Sequence, residues 1–225
     1  MSTESLVSEY SLGEEIAHAV THGIGAALSI AGLAVLVAFS TLYGNVWHIT
    51  SVSIYGATLI LCYTASTLYH SIPHPKAKRI LRQIDHATIF LLIAGTYTPF
   101  ALVSMRESWG WWLFGTVWGI AVVGMIFELF TEQRYKKVSL MLYLGMGWLA
   151  LAAIKPMLDT VGVGGLILLV IGGLFYSLGV IFYAWERLAY NHAVWHLFVL
   201  AGSAFHFFAV LLYVIPDASW PGISH

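Results

Sequence analysis

The sequence predicts an all-α integral membrane protein: a seven-transmembrane helix bundle with its N-terminus cytoplasmic and its C-terminus outside. Three observations carry this. Of 225 residues 59% are hydrophobic and 9% charged, where an average soluble domain has roughly 25% charged residues. Apolar runs of about 20 residues recur along the chain, each long enough to cross about 30 Å of hydrocarbon as a helix. The ten Lys and Arg are shared unequally between alternate connections. In lipid the backbone must satisfy its own hydrogen bonds, so helices are the expected crossing element.

The elements follow in order. Residues 1–17 read as an acidic N-terminal cytoplasmic tail, with Glu4, Glu9, Glu14 and Glu15. Glu14 and Glu15 are placed to favour the positive end of the first helix dipole. Span one, 18–42, is long and lacks a basic flank, so it reads as retained rather than as a cleaved signal peptide. Span two, 49–71, stops before Pro73, which puts His74 in a loop. Lys76, Lys78, Arg79 and Arg82 then lead into span three, 85–104, for which Asp85 is a candidate N-cap. Span four, 109–130, opens with Trp109, Trp111 and Trp112, an interfacial belt. Arg134, Lys136 and Lys137 precede span five, 138–156. Span six is 162–184. Arg187 precedes span seven, 191–215, and residues 216–225 form a C-terminal tail.

The seven-helix domain is thus 18–215, one bundle with short connections. Eight basic residues fall on one side, against Arg106 and Lys155 on the other. Positive residues stay cytoplasmic, which sets the orientation. Glu128 and Lys155 read as residues that snorkel to the interface. The Gly pairs at 164–165 and 172–173, with Gly145 and Gly147, read as close helix packing and not as a phosphate loop. A net charge of −1 provides no basic surface for nucleic acid. The single Cys62 cannot form an intrachain disulfide.

The histidines carry the chemistry. In the expected topology His70 ends span two, Asp85 opens span three, and His192 and His196 start span seven, all at the cytoplasmic face. Ionisable groups within a membrane helix are costly and point to function. Chance placement of ten His predicts roughly 0.4 pairs at i,i+4, whereas the chain has His18/His22, His70/His74 and His192/His196. Pro73 breaks the second pair. His192 and His196 share one helix face and can chelate one ion. Neutral imidazole suits zinc, and three protein ligands leave a fourth position for water or substrate.

His18 and His22 are a rival on the same side, read first as capping or interhelix hydrogen-bond residues. His206 lies about 15 Å beyond His196 along the helix, too far to share its ion, and reads as lining a polar core. His48 and His225 read as interfacial or tail residues. His86 points about 100° away from Asp85 around its helix. Ser66, one turn before His70, has two readings: a bond to the carbonyl of residue 62, or a donor to developing oxyanion charge. Asp85 has a second role open to it, accepting a proton from water at the metal.

Three blocks carry a family resemblance. They are Glu15-x-x-His18-x-x-x-His22; Ser66-Thr-Leu-Tyr-His70 with Asp85-His-Ala-Thr-Ile-Phe and Ala94-Gly-Thr-Tyr-Thr-Pro-Phe100; and His192-Ala-Val-Trp-His196 followed by His206-Phe-Phe. In this order they make the chain resemble the hemolysin III branch of the progestin and adipoQ receptor superfamily over almost its whole length. His18 departs from the pattern, where relatives commonly have Asn. The resemblance implies a seven-helix fold with the N-terminus inside and zinc near the cytoplasmic side. By the same analogy its ligands fall on His70, His192 and His196, with Asp85 contacting water at the metal and Ser66 nearby.

Fold alone does not transfer function. Eukaryotic relatives are receptors with a proposed lipid-amide hydrolase activity, and bacterial relatives are linked to hemolysis and membrane-lipid homeostasis. The leading expectation is a zinc-dependent hydrolase of lipid amide or ester bonds, with membrane lipids as partners, in a bacterial plasma (inner) membrane. The alternative is a non-enzymatic regulator of membrane state with a structural zinc. A lytic pore fits less well, because a secreted toxin is soluble before insertion and this chain is uniformly apolar.

Overall fold

A computed structural model describes residues 10–131 and 134–215. Among them the regular structure is all helical: α1 (Leu12–Tyr43), α2 (Val46–Ser71), α3 (Pro75–Pro99), α4 (Gly110–Thr131), α5 (Lys136–Gly147), α6 (Ile154–Ala184) and α7 (Asn191–Tyr213). Phe100–Ser104 is π-helical and Trp148–Ala153 is a 3₁₀ segment. The chain is an all-α, multi-pass membrane protein, with six helical stretches among the described residues long and apolar enough to cross a bilayer.

Local chemistry explains the boundaries. Ser11 caps α1 in a reciprocal box: its Oγ accepts from Glu14 N at 3.4 Å, and Glu14 Oε2 accepts from Ser11 N at 2.9 Å. Asn45 caps α2, accepting from Trp47 N at 2.9 Å. Pro75 starts α3 at a position where its missing N–H costs nothing. After Pro99 the chain winds more loosely, and Met105 N donates to Phe100 O at 2.9 Å. Tyr97 holds the tight 3₁₀ turn by donating to Gly147 O at 2.6 Å and accepting from Ala150 N at 2.8 Å. α6 is interrupted at Gly162, whose φ of 75° suits a residue without Cβ.

α1 packs on α2, α2 on α3 and α3 on α4; α6 packs on α7, which closes back against α1. α3 is the most enclosed helix: 72% of its apolar window is buried, against 22% for α1. The buried core runs through Leu36, Tyr55, Tyr63, Phe90, Phe100 and Met157.

Several sequence expectations need correction. α1 begins at Leu12, where the Ser11 cap fixes its start. α3 begins at Pro75, so Asp85 lies ten residues inside the helix and is not its N-cap. Glu128 does not snorkel: it is fully buried and accepts from Ser139 Oγ at 2.5 Å. Lys155 is exposed and paired with Asp159 at 3.0 Å. Gly164, Gly165 and Gly172 lie in close contacts with Tyr213, Val161 and His206, but nothing lies within 4 Å of a Cβ placed on Gly145 or Gly147. The Trp109, Trp111 and Trp112 side chains are exposed, and His74 precedes α3 in the loop. His48 is part of the α2 capping box. His225 lies outside the described residues.

Candidate metal centre

α2 contributes His70 in its last turn, and α7 contributes His192 and His196 from its first two turns. All three are buried, and each offers a donor atom within 4.8 Å of the other two. The free donor is Nε2 in every case: the Nε2 atoms of His70, His192 and His196 are buried and make no hydrogen bond to any described residue. The opposite nitrogens are held. His70 Nδ1 lies 2.7 Å from Glu15 Oε2, His196 Nδ1 is 3.1 Å from Thr21 Oγ1, and His192 Nδ1 is 3.4 Å from the Tyr10 hydroxyl.

The tautomers follow from those partners. Thr21 directs its one hydroxyl hydrogen at the carbonyls of Ala17 (2.8 Å) and His18 (3.0 Å), so its oxygen accepts from His196 Nδ1–H. A carboxylate at His70 Nδ1 likewise places the proton there. Both Nε2 atoms then carry a free lone pair. Buried polar atoms are nearly always satisfied, and ligating His residues typically donate the other ring N–H to a carboxylate or oxygen. The site therefore fits a metal ion on its own chemistry.

α1 furnishes the outer layer. Glu15 also accepts from Lys78 Nζ at 2.8 Å, and Lys78 donates to Tyr69 O at 3.0 Å. One carboxylate thus ties α1 to the ends of α2 and α3. His18 is fully buried between Tyr10 and the three histidines, and His22 stacks on His196 with centroids 3.4 Å apart. Glu15, His18 and His70 form a second group of potential donors. Sequence reasoning assigned Glu15 to the helix dipole and overlooked Tyr10 and Thr21. The available signal was spacing: Glu15, His18 and His22 fall at i, i+3 and i+7, one helix face.

Asp85 and Ser66 are both buried. Ser66 faces the Asp85 carboxylate, although its Oγ forms no well-aligned hydrogen bond. Asp85 Oδ2 is 3.7 Å from His86 Nδ1, which bonds Arg82 O at 2.8 Å. His86 thus faces the same space as Asp85, despite the 100° between them on an ideal helix. Asp85 belongs to neither donor group. It lines an open cavity between α3, α5, α6 and α7. The walls are largely apolar, and His206 lines them farther along α7, with Nε2 3.1 Å from Leu169 O.

The family model described as "Haemolysin-III related" matches residues 10–207, a stretch that contains every residue of this site. The chain belongs to the haemolysin-III-related family. It is 48% identical to "Hemolysin-3" of Bacillus cereus, over 92% of this chain and 94% of that protein. It is 47% identical to the "Hemolysin-3 homolog" of Bacillus subtilis (strain 168), over 92% and 97%. "Monocyte to macrophage differentiation factor" of Homo sapiens is 31% identical, over 89% of this chain and 84% of the human protein. That similarity to a mammalian protein extends the kinship of this haemolysin-III-related chain to the wider progestin and adipoQ receptor superfamily.

Proposed function

We propose that this haemolysin-III-related protein is a zinc-dependent membrane hydrolase acting on a lipid amide or ester bond. One observation carries the reading: three buried imidazoles offer donor atoms within 4.8 Å of one another, their Nε2 atoms unpartnered among the described residues, and a buried carboxylate, Asp85, lines an open apolar cavity. His70, His192 and His196 hold the ion. When bound, zinc polarises a carbonyl and acidifies water. Asp85 accepts the proton from attacking water and returns it to the leaving group. Ser66 Oγ, with no hydrogen bond of its own, donates to the oxyanion. The cavity takes the acyl chain and keeps bulk water away. Membrane lipids are the partners, and the bacterial plasma membrane is the location.

Topology bears on access. The apolar stretch Lys136–Ala184 has 49 residues, about 73 Å if wholly helical, more than twice the hydrocarbon thickness. The break at Gly162 supports two crossings there, hence seven in all. With eight of ten basic residues on one side, seven crossings support a candidate metal centre at the cytoplasmic face and a C-terminus outside.

The test pairs metal content with lipid turnover. One zinc per chain, lost in His192→Ala and His196→Ala, supports the centre. Asp85→Asn should keep the metal and abolish turnover; turnover retained in that variant removes Asp85 from the mechanism. A second reading has a specific basis, since the three histidines join α2 to α7 and two of their partners, Glu15 and Thr21, come from α1. Zinc would then clamp the bundle, and its removal would lower thermal stability in a protein that hydrolyses no lipid.

A further inference from the structure

His18 has no place in the centre as described, yet its environment demands an explanation. It is fully buried, and neither ring nitrogen has a hydrogen-bond partner among the described residues. An imidazole left unsatisfied in this way is costly. Its donor lies within 4.8 Å of donors on Glu15 and His70, but that trio cannot readily hold a second cation. Both Glu15 oxygens are engaged, Oε2 with His70 Nδ1 at 2.7 Å and Oε1 with Lys78 Nζ at 2.8 Å. The Lys78 ammonium already supplies the positive charge there.

The arrangement of rings points elsewhere. With an ion–nitrogen distance of about 2.0–2.1 Å, an imidazole centroid lies about 3.2 Å from the ion, so four rings around a tetrahedral ion have centroids about 5.2 Å apart. The rings of His18, His70, His192 and His196 have six mutual separations. Those from His18 are 4.6 Å to His70, 4.8 Å to His192 and 5.5 Å to His196. The other three are 5.2, 5.4 and 4.6 Å. All six surround the tetrahedral value. His22 does not join them in this way: it lies parallel to His196, at 10°, presenting its face rather than an edge.

We propose that His18 is a fourth ligand of the metal centre, occupying the position that three histidines alone leave open. This rests on the metal centre proposed above. The donor atoms of His18, His192 and His196 do not all lie within 4.8 Å of one another; ligation requires a turn of the His18 ring toward the other two. The χ2 torsion of histidine is broad, and with both nitrogens unpartnered the turn breaks no hydrogen bond. The resting centre is then a closed four-imidazole shell. Substrate reaches the ion by displacing His18, the one ligand of the four whose other ring nitrogen nothing anchors.

The experiment uses the purified full-length chain loaded with Co²⁺ in place of zinc, read by visible absorption with and without azide. Wild type should show a tetrahedral cobalt spectrum that azide leaves unchanged. His18→Ala should bind cobalt at least tenfold more weakly, comparable to or exceeding the roughly 10–100-fold cost of losing an outer-sphere partner. Its spectrum should shift with azide, and added imidazole should restore the wild-type bands. Restoration by imidazole also separates a lost ligand from a misfolded chain. The proposal is overturned if wild type responds to azide as the variant does, or if His18→Ala keeps the wild-type spectrum. Failure of wild type to bind cobalt or zinc at all would instead remove the metal centre itself, and this proposal with it.

Discussion

Glu15→Ala offers the sharpest test of how the centre is held together. The carboxylate fixes His70 Nδ1 at 2.7 Å and Lys78 Nζ at 2.8 Å. Without it His70 loses the partner that sets its tautomer and ring plane, while its Nε2 must still meet the other donors. Outer-sphere partners of this kind are worth about 10–100-fold in metal affinity, or roughly 1.4–2.8 kcal/mol. Glu15→Gln keeps an acceptor oxygen for Nδ1–H but loses the charge, so its affinity should fall between wild type and Ala. Lys78 is 16% exposed at its side chain, so its ammonium can swing to the interface and the bundle should survive. Chelator competition with a fluorescent zinc indicator on detergent-solubilised protein reads the affinity, and thermal unfolding of the metal-free form checks the fold. Zinc binding within twofold of wild type in Glu15→Ala would refute the reasoning.

Other outcomes follow from particular contacts. Gly110→Ala should destabilise by about 1–3 kcal/mol or more, because a Cβ there meets Ala101 O at 2.0 Å, backbone that cannot swing away. Gly115→Ala on the same helix meets nothing within 4 Å and should be neutral or stabilise by up to about 1 kcal/mol; paired thermal melts decide. Tyr97→Phe leaves Gly147 O and Ala150 N without their partner at the 3₁₀ segment and should cost about 1–3 kcal/mol, with faster proteolysis near residues 147–150. Thr21→Val removes the acceptor that orients His196 and should weaken zinc binding by about tenfold without unfolding the chain, as chelator competition will show.

Much of the candidate site was legible because its candidate ligands are local pairs or helix-end residues. His192 and His196 share a face by spacing alone, and His70 closes an apolar span. Glu15 was misread because its partner is 55 residues away. A single helix displays its own periodicity but not its azimuth relative to a neighbour. The start of α1 was within reach, since Ser11-x-x-Glu14 is a capping-box pattern, but the acidic tail masked it. The basic stretch 76–82 looked like loop because charge dominates it, whereas it forms the first turns of α3. Periodicity does not separate an interfacial helical turn from a polar connection.

By itself the sequence determined the class, the helical character and the candidate ligands. Those depend on composition, on run length against a bilayer of fixed thickness and on spacing within one helix. Only the tertiary structure decided that Glu15, Thr21 and Tyr10 sit against the three imidazoles, that His18 packs among them, and that Asp85 opens onto a cavity. The physical reason is that these relations depend on how helices far apart in the chain rotate against one another. That rotation is set by packing over the whole bundle, and no local run of residues records it.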